Sequence, residues 1–231
     1  MARLPRLYAP DTPQLAEARF ARPLALPASM TPAATLDRLG GWLQESLSSH
    51  GVALHAWSLS LDRLLLLATP ADAQALPKLI QGFARRYATR LQHGRVFEQR
   101  YRSALLQPGR WVLPAQLYVD TLPSRLGLAP DATRWPWASA SHHAGTAPQP
   151  QDWLTPHMDY WQLGNTPYER QARYLSQIQQ GLLPGIAQQI EQALFGQWAL
   201  GDEAFLEHMR HRANRRLGPR PRGRPRTTPS A

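Results

Sequence analysis

The stretch HAWSLSLDRLLLLATP, residues 55–70, is almost wholly apolar apart from one charged couplet, Asp62-Arg63. Burying an unpaired charge costs on the order of several kcal/mol, so the couplet must be paired, exposed or chemically employed. Arginine dominates the chain's basic residues, since Lys78 is the only lysine among 26. A guanidinium forks phosphate and guanine bidentately, although GC-rich codon usage would give the same bias. Position is more informative. From Arg210 to Arg226 there are eight arginines and no acid. From Arg85 to Arg110 there are seven arginines and one acid, Glu98. With a net charge of +10, the rest of the chain is mildly acidic. Two basic clusters on an acidic body point to a phosphate-bearing partner, and nucleic acid fits best.

The first cluster holds Arg85, Arg86 and Arg90 on one side of an amphipathic segment, followed by Arg100-Tyr101-Arg102. An aromatic ring between two guanidinium groups suits stacking on an unpaired base; packing into a sheet is the other reading of Tyr101. The second cluster ends in PRPRGRPR, with Arg220, Arg222, Gly223, Arg224 and Arg226. Its centre, PRGRP, matches an AT-hook core. Glycine lets the backbone lie flat in a narrow minor groove, and the flanking arginines enter where A·T tracts concentrate negative potential. The histidines make poor metal sites. His142 and His143 are adjacent and read as a polar loop pair. His208 and His211 share a helix face among arginines, and His55 reads as a satisfied strand histidine. Asp62 alone offers too few oxygen ligands for magnesium.

These residues need a frame. A strand at the edge of a sheet is expected within 17–27, because proline confines it there. Leu36, Leu39, Leu43 and Leu47 form a helical stripe over 31–50. Residues 52–60 alternate as a strand, and RLLLLAT follows as its partner after a turn near Ser60–Asp62. Asp72 caps a helix running to about 92, carrying Leu76, Leu79, Ile80, Phe83, Tyr87 and Leu91. Residues 95–107 resume as strand. A helix starts at Gly109 and is ended by Pro123. A turn or one-turn helix is expected in 134–145. The order strand, helix, strand, strand, helix, strand, helix predicts an α+β layer. Three further helices are expected, at about 167–181, 184–195 and 202–217. The resulting organisation is an α+β domain over 1–147, a helical region over 153–217 and a disordered Arg/Pro tail over 218–231.

The chain has 231 residues, 43% hydrophobic, and no cysteine. That supports a folded core and a reducing compartment, with no disulfides or thiolate metal site. No apolar run reaches the roughly 18 residues of a membrane span. The N-terminus lacks the apolar core of a signal peptide, and no membrane partner is expected.

The pieces GVALHAW…LLATP, FARRYATR, FEQRYRSALL, LYVDTLPSRLGL, WPWASASHH, LTPH, LGNTPYERQARY and WALGDEAFLE occur in an order and spacing that resembles the REP-associated tyrosine transposases of the single-tyrosine HUH superfamily. The resemblance runs from about residue 30 onward. It implies a ferredoxin-like antiparallel sheet with helices on one face, and DNA transposition by single-strand cleavage and joining at palindromic hairpins. It also implies a magnesium or manganese ion held by a His-x-His triplet, with an amide one turn beyond a nucleophilic tyrosine. Tyr118 stands at the nucleophile position. The ligand positions read Arg63, Leu65 and Leu122. Leucine has no donor atom and arginine repels a cation.

The expectation is therefore a DNA-binding protein with impaired metal-dependent cleavage, a pseudoenzyme on a mobile-element scaffold without a resident cofactor. Its expected ligand is single-stranded or hairpin DNA, with the tail reaching an A·T-rich minor groove. The alternative is an active transposase or nickase in which Tyr118 works with arginine assistance, from Arg63, Arg100 and Arg102. A cytoplasmic bacterial protein, nucleoid-associated when bound to DNA, is the implied location. The oligomeric state is left open.

Overall fold

The computed structural model describes residues 5–22, 32–91 and 95–219. The arginines of the PRGRP tail and the side chain of Arg90 lie outside the described residues. Five strands form one sheet: β1 (Gln14–Arg19), β2 (Val52–Leu59), β3 (Arg63–Pro70), β4 (Arg102–Leu106) and β5 (Ala199–Leu200). Their order is β2-β3-β1-β4-β5. The first four pair antiparallel, and β5 joins β4 in parallel. With α1 (Pro32–Leu47) after β1 and α2 (Ala75–Leu91) after β3, this is the ferredoxin-like α+β arrangement, extended by one strand.

The unbroken Leu64–Leu67 run is explained by burial on both faces. Leu64 and Leu66 point toward α1 and α2, among Leu36, Leu39, Leu43, Leu76, Leu79 and Phe83. Leu65 and Leu67 point the other way, toward α3 (Val112–Asp120). The opposite face is thus covered too, which a layer with helices on one side only does not include. Following α3 come α4 (Leu122–Arg125), α5 (Ala140–His143), α6 (Met158–Trp161), α7 (Pro167–Gln180), α8 (Pro184–Gly196) and α9 (Glu203–Arg210). Ile190, Ala193 and Leu194 of α8 share the core with Leu15, Leu65 and Tyr118.

Several local expectations shift. The first strand is central, not an edge, because Gln14–Arg19 contains no proline and carries small Ala16 and Ala18 toward α1 and α2. The strand expected over 95–107 narrows to Arg102–Leu106; ahead of it Phe97 only bridges Phe20. Pro123 does not close the helix outright. The helix stops at Asp120, and Pro123 sits in the first turn of α4, where its missing N–H has no intrahelical partner to lose. The last helix ends at Arg210, and the chain turns back so that Asn214 N–H donates to Tyr8 O at 2.9 Å and Ala199 N–H to Leu217 O at 2.9 Å. Asp72 does cap α2, its Oδ1 accepting from the N–H groups of Gln74 and Ala75.

Candidate nucleic-acid interface and the vacated metal position

Arg63 and Leu65 are two apart on β3 and so face the same side of the sheet. Tyr118 and Leu122 are one helical turn apart and face back toward them. Leu65 is 0% exposed, Leu122 1% and Tyr118 4%, and all three belong to one apolar cluster. The position where the resemblance implies a metal site is therefore packed hydrocarbon beside a phenol. Neither leucine offers a donor, and the donor set does not fit a divalent cation. Among the described residues, no group of three or more His, Cys, Asp or Glu is placed to hold a metal.

The couplet is paired. Ser60 N–H donates to Arg63 O at 2.9 Å across the turn, and Ser60 Oγ donates to Asp62 Oδ1 at 2.5 Å. Arg63 donates through Nε and Nη2 to Asp62 Oδ2, at 3.0 and 2.6 Å. Its Nη1 reaches Glu17 Oε1 at 3.0 Å. Glu17 is buried on β1, opposite Leu65 in register. Burial opposes ionisation of Asp62, yet its Arg63 and Ser60 hydrogen bonds carry its carboxyl below the usual range. Arg63 is thus held by two carboxylates, which leaves its fork engaged.

The Tyr118 hydroxyl donates to Glu191 Oε1 of α8 at 3.3 Å. Arg125 lies over the ring, its guanidinium carbon 4.0 Å from the centroid, and donates to Tyr118 O at 2.6 Å. Burial raises the phenol's pKa; Arg125 pulls the other way and Glu191 adds to the rise. A phenol with a raised pKa is a weaker nucleophile at neutral pH.

The first basic cluster is divided. Arg85 and Arg86 are exposed on α2, where Arg86 pairs with Glu45 of α1 at 2.8 Å. Arg100 and Arg102 lie away from them, at the β4 end of the sheet. Tyr101 between these two is 8% exposed, and Arg6 covers its ring at 4.1 Å. It follows the sheet-packing reading, with no open face toward α1 and α2.

The histidines act as structural groups. His55 Nδ1–H donates to Thr155 O at 2.6 Å, so Nε2 accepts from Thr69 Oγ1 at 2.8 Å. His208 and His211 are exposed on and just after α9. His142 and His143 sit on α5 in different surroundings. His142 Nδ1 accepts from Gln151 N–H, while His143 is buried against Asp120. Asp120 is wholly buried and accepts from Ser139 Oγ at 2.5 Å, Tyr174 OH at 2.7 Å and His143 Nδ1 at 2.7 Å. This network ties α3 to α5 and α7. Sequence reasoning missed it, as it missed Glu17, Arg125 and Glu191. The available signal was a lone Asp two residues after Tyr118 on a helix otherwise uncharged.

No protein-family model matches the chain, and no curated protein sequence matches it. Among solved structures, the chain superposes on a REP-associated tyrosine transposase bound to a REP hairpin, with a TM-score of 0.53 and 11% identity. The match covers 67% of this chain and 92% of the other. The fold resembles that of the REP-associated tyrosine transposase. At this identity the likeness concerns the fold alone. The transposase-like sheet is what brings Arg63, Leu65, Tyr118 and Leu122 to one place from three elements distant in sequence.

Proposed function

We propose that the protein binds single-stranded or hairpin DNA on a tyrosine-transposase scaffold, and that it does not cleave by a metal-dependent route. The observation that carries the second half is the packing of Leu65 and Leu122 against Tyr118, with Arg63 held by Asp62 and Glu17. The two leucines at expected ligand positions have no donor atom, and Arg63 at the third already has two carboxylate partners. The DNA half rests on the fold likeness to a hairpin-bound transposase and on the two arginine clusters. Arg85, Arg86, Arg100 and Arg102 supply phosphate contacts in this reading, with Arg90 and the PRGRP tail as further contacts, the latter in an A·T-rich minor groove. Binding places the protein on the nucleoid of a bacterial cytoplasm.

One observation favours the alternative, an active nickase. Arg125 sits against Tyr118 and favours its phenolate. The test is incubation of hairpin DNA carrying a single-stranded extension with Mg²⁺ or Mn²⁺, followed by denaturing electrophoresis. No protein–DNA adduct is expected. An adduct that disappears in Tyr118→Phe establishes the enzyme and ends the impaired-cleavage reading. Hairpin affinity is expected to exceed that for scrambled DNA of equal length. With some six phosphate contacts on a single strand, log affinity should fall with log salt at a slope of about −4. A slope near zero removes the charge argument.

A further inference from the structure

Arginines from both ends of the described chain meet beside β4. Arg6 donates through Nη1 to Gln197 Oε1 at 3.0 Å, and Arg215 donates through Nη2 to Gln197 O at 2.6 Å. Arg215 also lies 5.3 Å from the centre of the Trp198 ring. With Arg100 and Arg102 they line an open cleft of about 340 Å³, walled by Gly196 and Trp198. That volume is at the lower end of ligand-sized pockets. Gly196 is required for the wall, because a Cβ there would collide with the Trp198 indole.

None of the four arginines has a carboxylate partner among the described residues. The Nε atoms of Arg6 and Arg215 are buried with no hydrogen-bond acceptor there. Four like charges in one cleft repel each other, and a buried donor without an acceptor costs about 1–3 kcal/mol. Burial lowers the pKa of Arg6, with Arg100 and Arg215 adding to the fall. An anion in the cleft relieves the repulsion and offers acceptors to the outward guanidinium N–H groups.

A chain of contacts along α8 links the cleft to Tyr118. Arg102 lies 4.6 Å from the ring of Phe195, which is exposed on α8. Glu191, the acceptor of the Tyr118 hydroxyl, is four residues earlier and therefore on the same helix face. In the sheet, Arg102 stands opposite Glu17, the carboxylate that Arg63 holds.

We propose that the cleft formed by Arg6, Arg100, Arg102 and Arg215 beside Trp198 is a phosphate site for single-stranded DNA, holding the strand one α8 turn from Tyr118. The proposal rests on the DNA-binding reading above, and adds which strand segment is held and by what. Its shared chemistry is a DNA phosphate, either an internal phosphodiester or a terminal monoester.

The test compares wild type with Arg100→Gln/Arg102→Gln on three probes: a blunt hairpin, the same hairpin with a single-stranded extension, and hexathymidylate alone. Fluorescence anisotropy across a salt series gives affinity and slope. The double variant is expected to lose about tenfold affinity for the extended hairpin and for hexathymidylate, with a slope shallower by about 1.4, and to lose markedly less on the blunt hairpin. Arg85→Gln, which removes a charge elsewhere, should not discriminate between blunt and extended hairpins. Equal loss on all three probes, or none, overturns the cleft. Failure of wild type to bind any hairpin, with hexathymidylate binding intact and arginine-dependent, overturns the hairpin reading and keeps the cleft. A preference for a 5′-phosphorylated extension that is lost in the variant assigns the monoester; no preference assigns the diester. Tighter binding of an RNA strand of matching sequence, lost equally in the variant, overturns the DNA assignment.

Discussion

Putting ligands back is the sharpest test of the idea that hydrocarbon fills a metal position. In Arg63→His/Leu65→His, both imidazoles leave β3 on the side that faces Tyr118. Glu17, released from Arg63, stands opposite residue 65 and offers an oxygen. Without metal the variant should be destabilised. Leu65 is fully buried, and losing that burial costs about 1.5–3 kcal/mol. An imidazole without a partner adds about 1–3 kcal/mol. The sum is about 2.5–6 kcal/mol, or a fall in Tm of roughly 5–24 °C at this chain size. A metal at a hundred times its Kd returns about 2.7 kcal/mol, a rise of roughly 5–11 °C. The assay is thermal melting by circular dichroism, with and without millimolar Mn²⁺. Wild type should not shift. A wild-type shift of the same size means that the native pocket already holds a cation, and the reasoning fails. A cooperatively melting variant that does not respond to Mn²⁺ would show that residues 63 and 65 do not converge on Tyr118.

The other two predictions concern groups buried beside the site. Asp120→Ala strands the buried donors of His143 and Tyr174, while Ser139 Oγ keeps Trp57 O as an acceptor at 3.1 Å; it should cost at least about 2 kcal/mol, a Tm fall of roughly 4–8 °C, and a change under about 2 °C would mean the network is not stabilising. His55 has its pKa lowered to about 4, chiefly by burial. Its folded value lies below the unfolded one of about 6.5, so the unfolded state binds the extra proton first. The associated stability is complete above about 6.5 and is lost as pH falls toward 4, with a ceiling of about 3 kcal/mol. Urea titrations of wild type and His55→Gln across that window should converge at low pH; parallel curves would contradict a neutral buried imidazole.

Periodicity carried most of the fold. The leucine stripe of α1 and the apolar face of α2 were legible because helices meeting a sheet on one side repeat every three or four residues. The β3 run was legible as a strand, but its continuity has two causes, one core on each face, and composition cannot separate them. The central place of β1 was hidden, since a six-residue strand with two alanines carries little signal and prolines nearby suggested an edge. β5, two residues long, had no periodicity to read. At the site, Arg63, Leu65, Tyr118 and Leu122 were legible only through resemblance. Their convergence depends on pairing across the sheet, and neither spacing nor charge contains that. Glu17 and Asp120 looked like ordinary carboxylates, because burial is a property of the fold and not of the residue. Arg6 and Arg215 lie more than two hundred positions apart, so the cleft they line exists only once β5 and the returning C-terminal segment are placed.

The engagement of Arg63 supports the proposed non-cleaving reading over arginine-assisted cleavage. An arginine-assisted cleavage needs guanidinium groups free to meet a phosphate at the phenol. Arg63 makes three hydrogen bonds to two carboxylates, so engaging a phosphate there would first break ion pairs that are largely buried, at a cost of about 3–5 kcal/mol if Glu17 were left without a partner. Arg19 lessens that, since it also reaches Glu17 at 3.2 Å, but it is half exposed and its pair is weak. Arg125 covers the ring face and donates to the Tyr118 carbonyl, and although it favours the phenolate, burial still holds the pKa of the phenol above its usual value. Arg6, Arg100, Arg102 and Arg215 stand together in the cleft with no carboxylate partner among the described residues, unlike Arg63. In the proposed reading, cationic groups without carboxylate partners lie where a strand would be gripped, and the guanidinium nearest the expected ligand position is neutralised. Packing Leu65 and Leu122 against Tyr118 contributes stability where an empty metal site would leave unpaired polar groups.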